Sequence, residues 1–591
     1  MNDVRTPSRA VRETPDELPD GEVEVVDRLL HAGLGHLTQG LSPTGLALAY
    51  TDWALHLAMY PGRQTFLAQK ALRKALRLAV YAGRVALDPS TEDCIEPLPQ
   101  DHRFDGPDWH QWPFNVMHQS FLLTQQWWHI ATTGVCGVHP HHEQVVNFMG
   151  RQLLDIYAPS NFLATNPEVL RRTFEEQGQN LARGGQNLIE DAERRLGGRP
   201  PVGAEEYQVG RDMATTPGKV IFRNRIMELI QYQPTTKTVF PEPVLVVPAW
   251  IMKYYILDLK PGKSLVEYLL ERGHTVFMIS WKNPDSRDRD MGMDDYQEQG
   301  VMAALDVVSK VVPERKVHAV GYCLGGTLLM LAAATMARDE DERLASCTLF
   351  AAQADFTEPG ELDLFIDHSQ VHFLEDIMWA RGYLARGQMA GAFQLLRSQD
   401  LFWSRLVREY LLGEREDMIE LMAWNADATR LPYRMHSEYL RRLFLNNDFV
   451  EGRYDVNGQP IHLGDIHAPM FAVGTVKDHV APWESVYKIV RFARTEVTFC
   501  LTEGGHNAGI VTQPGHPRRR YQILTHKPRD RYMPPGQFRE GIESTDGSWW
   551  PAWEQWLRDH SGARVQPPAM GNPERGLRPL ADAPGEYVLV R

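Results

Sequence analysis

The chain has 591 residues, 43% apolar and 23% charged, a globular composition that makes disorder and coiled coil poor descriptions of the whole. Its net charge of −14 argues against nucleic acid as a partner, since that function needs a basic face. Five unevenly spaced cysteines suit neither a disulfide framework nor a zinc module, so a reducing compartment is expected.

Residues 1–20 are polar and interrupted by Pro7, Pro15 and Pro19, which predicts a disordered tail without the apolar stretch of a secretory signal. No apolar run reaches the roughly 18 residues of a membrane span, so no transmembrane segment is expected and the chain reads as cytoplasmic. Residues 21–200 form a predicted helical domain: Phe114, Met117, Phe121 and Leu122 fall at helical spacing, as do Leu153, Leu154 and Tyr157. Asn166 reads as an N-cap with Pro167 in the first helical position. The cluster Gly197-Gly198-Arg199-Pro200-Pro201 closes this half.

From 201 to 560 the pattern changes to short β-rich runs at 243–247, 274–279, 317–320, 347–350, 470–473 and 497–500. The early ones alternate with helical stretches at 264–271, 300–312 and 324–337. Continuous apolar strands joined by helices predict an α/β fold with a mostly parallel, doubly wound sheet covered on both faces. An insertion at about 355–450, rich in Trp, Leu, Arg and Met, would cap the C-terminal edge of that sheet, where open α/β folds bind ligands. Residues 561–591 are rich in Pro and Gly and read as an extended arm.

The sharpest local signal is a strand running into a helix through Gly321-Tyr322-Cys323-Leu324-Gly325. A nucleophile on such an elbow needs neighbours without bulky Cβ groups, which Gly321 and Gly325 supply, and the helix N-terminus favours negative charge on Cys323. The bland alternative is a buried thiol beside two packing glycines. The elbow is the mark of the α/β-hydrolase fold, whose chain order of nucleophile, acid and histidine is met by Asp478 and His506, each just past the end of a late strand. Taken singly, Asp478 reads as a cap and His506 as a loop residue; taken in order, the three make a catalytic triad. His479 is a supporting candidate. The oxyanion hole would take the backbone N–H of Leu324 and one from the loop after an early strand, with Ile251 as the predicted donor.

Sulfur in place of oxygen narrows the chemistry, because acyl transfer from a thioester to a thiol keeps the acyl group reactive for onward transfer. At this point a resemblance enters. The chain is similar to class I polyhydroxyalkanoate synthases through residues 321–327 (GYCLGGT), 247–259 (VPAWIMKYYILDL), 273–285 (GHTVFMISWKNPD), 424–429 (WNADAT), 478–483 (DHVAPW), 504–509 (GGHNAG), 547–553 (GSWWPAW) and 159–170 (PSNFLATNPEVL). It departs from them at Ala249, where a second proline is common, and at Asn507, where an aliphatic residue is. The resemblance implies polymerisation of 3-hydroxyacyl-CoA, with short chains such as 3-hydroxybutyryl-CoA favoured, into a growing polyester with release of CoA, through an acyl-Cys323 intermediate. It also implies a homodimer joined through the cap, association with polyester granules, and no cofactor beyond the coenzyme A that the substrate carries.

Two other functions are weighed: a thioesterase or depolymerase on the same fold, and a non-catalytic granule protein. The run His139-Pro140-His141-His142 has no carboxylate at ligand spacing and a proline expected to break any helix, so no metal is assigned. The basic run Arg518-Arg519-Arg520 reads as a solvated loop, with contact to CoA phosphates as the sharper reading. Trp549, Trp550, Trp553 and Trp556 read as packing residues.

Overall fold

The computed structural model describes residues 22–591 apart from 39 and 397, so the tail expected over 1–20 lies outside the described residues. Strands β1 (Gly218–Arg223), β2 (Met227–Tyr232), β3 (Val244–Val247), β4 (Val276–Trp281), β5 (Val317–Tyr322), β6 (Leu344–Phe350), β7 (Met470–Thr475), β8 (Val497–Thr502), β9 (Arg520–His526), β10 (Thr545–Asp546) and β11 (Ala581–Asp582) build one sheet. Its spatial order is β10-β9-β8-β7-β6-β5-β3-β4-β2-β1-β11. The central strands from β8 to β4 are the six apolar runs of the sequence, and every neighbouring pair among them is parallel. Both of their faces are buried, as a strand without charged side chains permits. Alternation sorts them: Leu245 and Val247 face one core, Val244 and Val246 the other.

The flanking strands are antiparallel and carry charges, which hid them in the sequence. Glu228 on β2 is fully buried because Arg223 pairs with one oxygen at 2.5 Å while the N–H groups of Glu586 and Tyr587 donate to the other, both at 2.9 Å. The basic run expected as a solvated loop is corrected at its end: Arg520 opens β9 and is paired with Asp546 on β10 at 2.7 Å.

Helices cover both faces. On one lie α9 (Ala303–Val311) and α10 (Leu324–Arg338), and on the other α8 (Leu265–Glu271) and α12 (Trp550–Asp559) with its tryptophans. Between β6 and β7 the chain leaves the sheet for a helical insertion that includes α11 (His368–Arg381).

Before the sheet come α1 (Glu22–Leu37), α2 (Pro43–Met59), α3 (Pro61–Leu87), α4 (Phe114–Thr132), α5 (Pro140–Ile156), α6 (Pro167–Glu175) and α7 (Gln179–Leu196). The Asn166 side chain caps α6 by accepting from Glu168 and Val169 N–H at 3.1 and 3.2 Å. Pro140, expected to break a helix, instead starts α5, where its missing N–H costs nothing. Of these helices α1 and α7 rest directly on the insertion. Arg28 of α1 lies over Trp379 of α11 at 5.0 Å, and Asn180 and Asn187 of α7 donate to the carbonyls of Leu411 and Glu409 at 2.8 and 3.0 Å.

Candidate active site

β5 ends at Tyr322 and α10 begins at Leu324, which leaves Cys323 alone in the turn at φ 53°, ψ −123°. That backbone conformation is strained for an L residue and is sustained by what surrounds it. A Cβ on Gly321 would fall 2.4 Å from Gly326 Cα, and one on Gly325 would fall 2.2 Å from the Val247 carbonyl oxygen. The elbow glycines are therefore required for close approach. The Gly325 contact also presses the elbow against the end of β3, so the 248–251 loop runs beside Cys323.

Asp478 sits in the turn after β7, its side chain fully shielded. Its Oδ1 accepts the Val480 and Ala481 N–H groups, both at 2.9 Å. Its Oδ2 accepts Thr475 Oγ1–H at 3.2 Å and His506 Nδ1–H at 2.7 Å. His506, in the loop after β8, lines the same cavity as Cys323, and the thiol acts electrostatically on its ring. Burial pushes the Asp478 carboxyl up, but the His506 charge and the hydrogen bonds outweigh it and hold it below the usual range. Burial likewise depresses His506; the Asp478 carboxylate and then Cys323 overcome that and raise it well above the ordinary value.

The three residues predicted from chain order are thus brought together at the C-terminal edge of the sheet. Leu324 is the first residue of α10, so its N–H has no acceptor inside the helix, and Ile251 sits in the neighbouring loop. Both line a cavity of about 1180 Å³ with Cys323, His506 and Asn507. His479 lines it too, and its carbonyl accepts the Glu361 N–H at 3.1 Å from the insertion; Asp478, not His479, is what meets His506. Tyr439 and Phe444 of the insertion and Leu37 and Leu41 from the helical half supply further walls.

Several residues here were given no role in the site from the sequence. Trp549 and Trp550, expected only to pack, also donate their indole N–H groups to the carbonyls of Gly509 and Ile510 at 3.0 and 2.9 Å, which pins the His506 loop. Tyr322 lies nearly parallel to the His506 ring at 5.8 Å. The loop carrying Ile251 is clamped by the insertion: Thr429 Oγ1 donates to the Trp250 carbonyl at 2.7 Å and Trp424 Nε1 to the Lys253 carbonyl at 2.8 Å.

Residues 100–269 match the family model of the poly-beta-hydroxybutyrate polymerase N-terminus, residues 21–63 a second model of that polymerase's N-terminal part, and residues 242–511 the alpha/beta hydrolase fold. The poly(3-hydroxyalkanoate) polymerase of Methylorubrum extorquens is 41% identical over 508 residues, which cover 85% of this chain and 82% of that one. The chain belongs to the poly(3-hydroxyalkanoate) polymerase family. The family's polymerase subunit from Rhizobium etli is 39% identical, covering 84% of this chain and 78% of the relative, and that from Cupriavidus necator 35%, covering 83% of each. This family member is accordingly an enzyme of the polymerase and acyltransferase type on an α/β-hydrolase fold.

Among the described residues of this polymerase, no helix is long and apolar enough to cross a membrane, and no group of three or more His, Cys, Asp or Glu side chains is arranged to hold a metal ion. The histidines near Pro140 are engaged locally, His142 Nδ1 with Asp52 at 2.7 Å.

Proposed function

We propose that this polymerase builds a polyester from 3-hydroxyacyl units carried on coenzyme A, with Cys323 as nucleophile and His506 as base. The observation that carries the reading is the Asp478–His506 hydrogen bond of 2.7 Å, with His506 and Cys323 lining one cavity. His506 takes the thiol proton as sulfur attacks the thioester carbonyl; the new C–S bond forms, the bond to CoA breaks, and CoA leaves with the proton that His506 returns. Charge on the carbonyl oxygen is met by the Leu324 and Ile251 N–H groups. The 3-hydroxyl of an acyl unit then attacks a thioester carbonyl, its proton passing to His506 as the ester C–O bond forms and the C–S bond breaks. These steps balance without a metal or redox group.

Both Asp478 oxygens are occupied by protein donors, and the residue does not border the cavity. That supports His506 as the base in both half-reactions and Asp478 as its orienting partner. Within the same proposal the preferred acyl chain is short, as in 3-hydroxybutyryl-CoA, and two chains associate through the insertion at the surface of polyester granules.

The test is incubation of the purified protein with 3-hydroxybutyryl-CoA while CoA release and product are followed together. CoA with insoluble polyester is expected, and Cys323→Ala is expected to lose both. Free 3-hydroxybutyrate in place of polymer would make the protein a hydrolase, absence of CoA release would make it non-catalytic, and full synthesis by Cys323→Ala would sink the mechanism.

A further inference from the structure

The residue after His506 is polar where the resembling synthases carry an aliphatic side chain, and the structure gives that polarity an orientation. Asn507 lines the cavity beside Cys323, Leu324 and His506 and is half-buried. Its Oδ1 accepts a hydrogen bond from the Tyr322 hydroxyl, and Tyr322 itself is buried at the end of β5, with its ring close to His506. A carboxamide has one acceptor end and one donor end. With Oδ1 held by the phenol, the donor end Nδ2 is the one left for the cavity, and among the described residues no partner is recorded for it.

A fixed N–H donor next to the general base suits one kind of substrate atom, an oxygen that must be held while its own proton is taken. A thioester carbonyl is already provided for by the Leu324 and Ile251 backbone groups. The remaining oxygen on a 3-hydroxyacyl thioester is its 3-hydroxyl. We propose that Asn507 binds the 3-hydroxyl of the acyl group, its Nδ2–H donating to the hydroxyl oxygen so that the hydroxyl proton faces His506. Tyr322 is then a positioning residue that keeps the amide from turning its acceptor end to the substrate. The inference rests on the reading of Cys323 and His506 given above and adds to it a determinant of hydroxyacyl over simple acyl substrates.

A site built to bond a substrate hydroxyl rejects the analogue that lacks it. The experiment therefore compares 3-hydroxybutyryl-CoA with butyryl-CoA, following CoA release and acylation of Cys323 by mass spectrometry in the full chain. The quantity read is the ratio of kcat/KM for the two thioesters within each variant, which does not depend on the fraction of molecules that fold. In Asn507→Leu the ratio is expected to fall about tenfold, the size of one lost hydrogen bond to a neutral partner. Tyr322→Phe, which frees the amide to rotate, is expected to move the ratio in the same direction by less. An unchanged ratio in Asn507→Leu overturns the assignment while leaving the triad standing. Absence of acyl-Cys323 from either thioester in the unaltered protein overturns both.

Discussion

At the scale of single residues, two shifted groups face each other across the candidate site. Asp478 is held below its usual range and His506 above its own, each mainly through the other's charge working against burial. Asp478→Asn keeps the shape and removes the charge, so His506 loses both the support for its imidazolium and the constraint on which nitrogen carries the proton. We expect kcat to fall by roughly 10³ or more, as when a triad aspartate is replaced, with KM little changed. The pH at which His506 loses its proton should also move down, because burial is then no longer opposed by the Asp478 charge, read by NMR titration of the ring. The convergence of Cys323, Asp478 and His506 at one edge of the sheet was legible in the sequence because each follows the end of a strand in one parallel sheet. Tyr322 and Asn507 were not read as a pair, since their hydrogen bond joins the end of β5 to the loop after β8, 185 positions away in the chain.

At the scale of elements, the loop after β3 deserves the insertion that covers it. The Trp250 and Lys253 carbonyls are held by Thr429 and Trp424, and the buried Lys253 ammonium donates to the Val590 carbonyl at 2.7 Å. Ile251 lies between these anchors, and its own carbonyl accepts the Thr429 N–H at 3.4 Å. Burial pushes the Lys253 amine down to about 8, so it gives up its proton more readily than a surface lysine. Thr429→Val keeps the volume and leaves the Trp250 carbonyl without its hydroxyl partner. The loop should then sample positions in which the Ile251 N–H misses the oxyanion. We expect kcat to fall about tenfold, less than the roughly 10²–10³ lost when an oxyanion donor is removed outright, with a lower melting temperature and KM nearly unchanged. Equal changes in kcat and KM would show that the clamp shapes binding instead. The six central strands were legible to within a few residues because runs with no charge can only be buried. The clamp was not, since Trp424 and Thr429 meet carbonyls 171 and 179 positions away, across an insertion whose sequence shows only that it is helical. β1, β2 and β9 were missed for the opposite reason: their charges are neutralised by partners on neighbouring strands and, for Glu228, by backbone N–H groups of the C-terminal segment.

At the scale of the whole molecule, stability is tied to pH by histidines that the fold buries without charge. His318 on β5 lies between Ser346 Oγ at 2.7 Å and Ser561 Oγ at 3.0 Å, so it joins the sheet to the segment after α12. Burial lowers it to about 3, and burial lowers His436, in the insertion, to about 4. In the unfolded chain both would bind a proton near 6.5. Between that value and the lowered ones the unfolded state carries more protons than the folded state, so stability rises with pH across the window and is lost as the solution is acidified. Each such histidine steepens the loss by up to about 1.4 kcal/mol per pH unit. The melting temperature should therefore drop from pH 7 to pH 5 well before the carboxylates titrate. His318→Gln keeps a hydrogen-bonding side chain but removes the titration, so its melting temperature should start lower at pH 7 and depend less steeply on pH. A variant that kept the full slope would move the acid sensitivity away from His318 to the other histidines that burial lowers, His436 and His526.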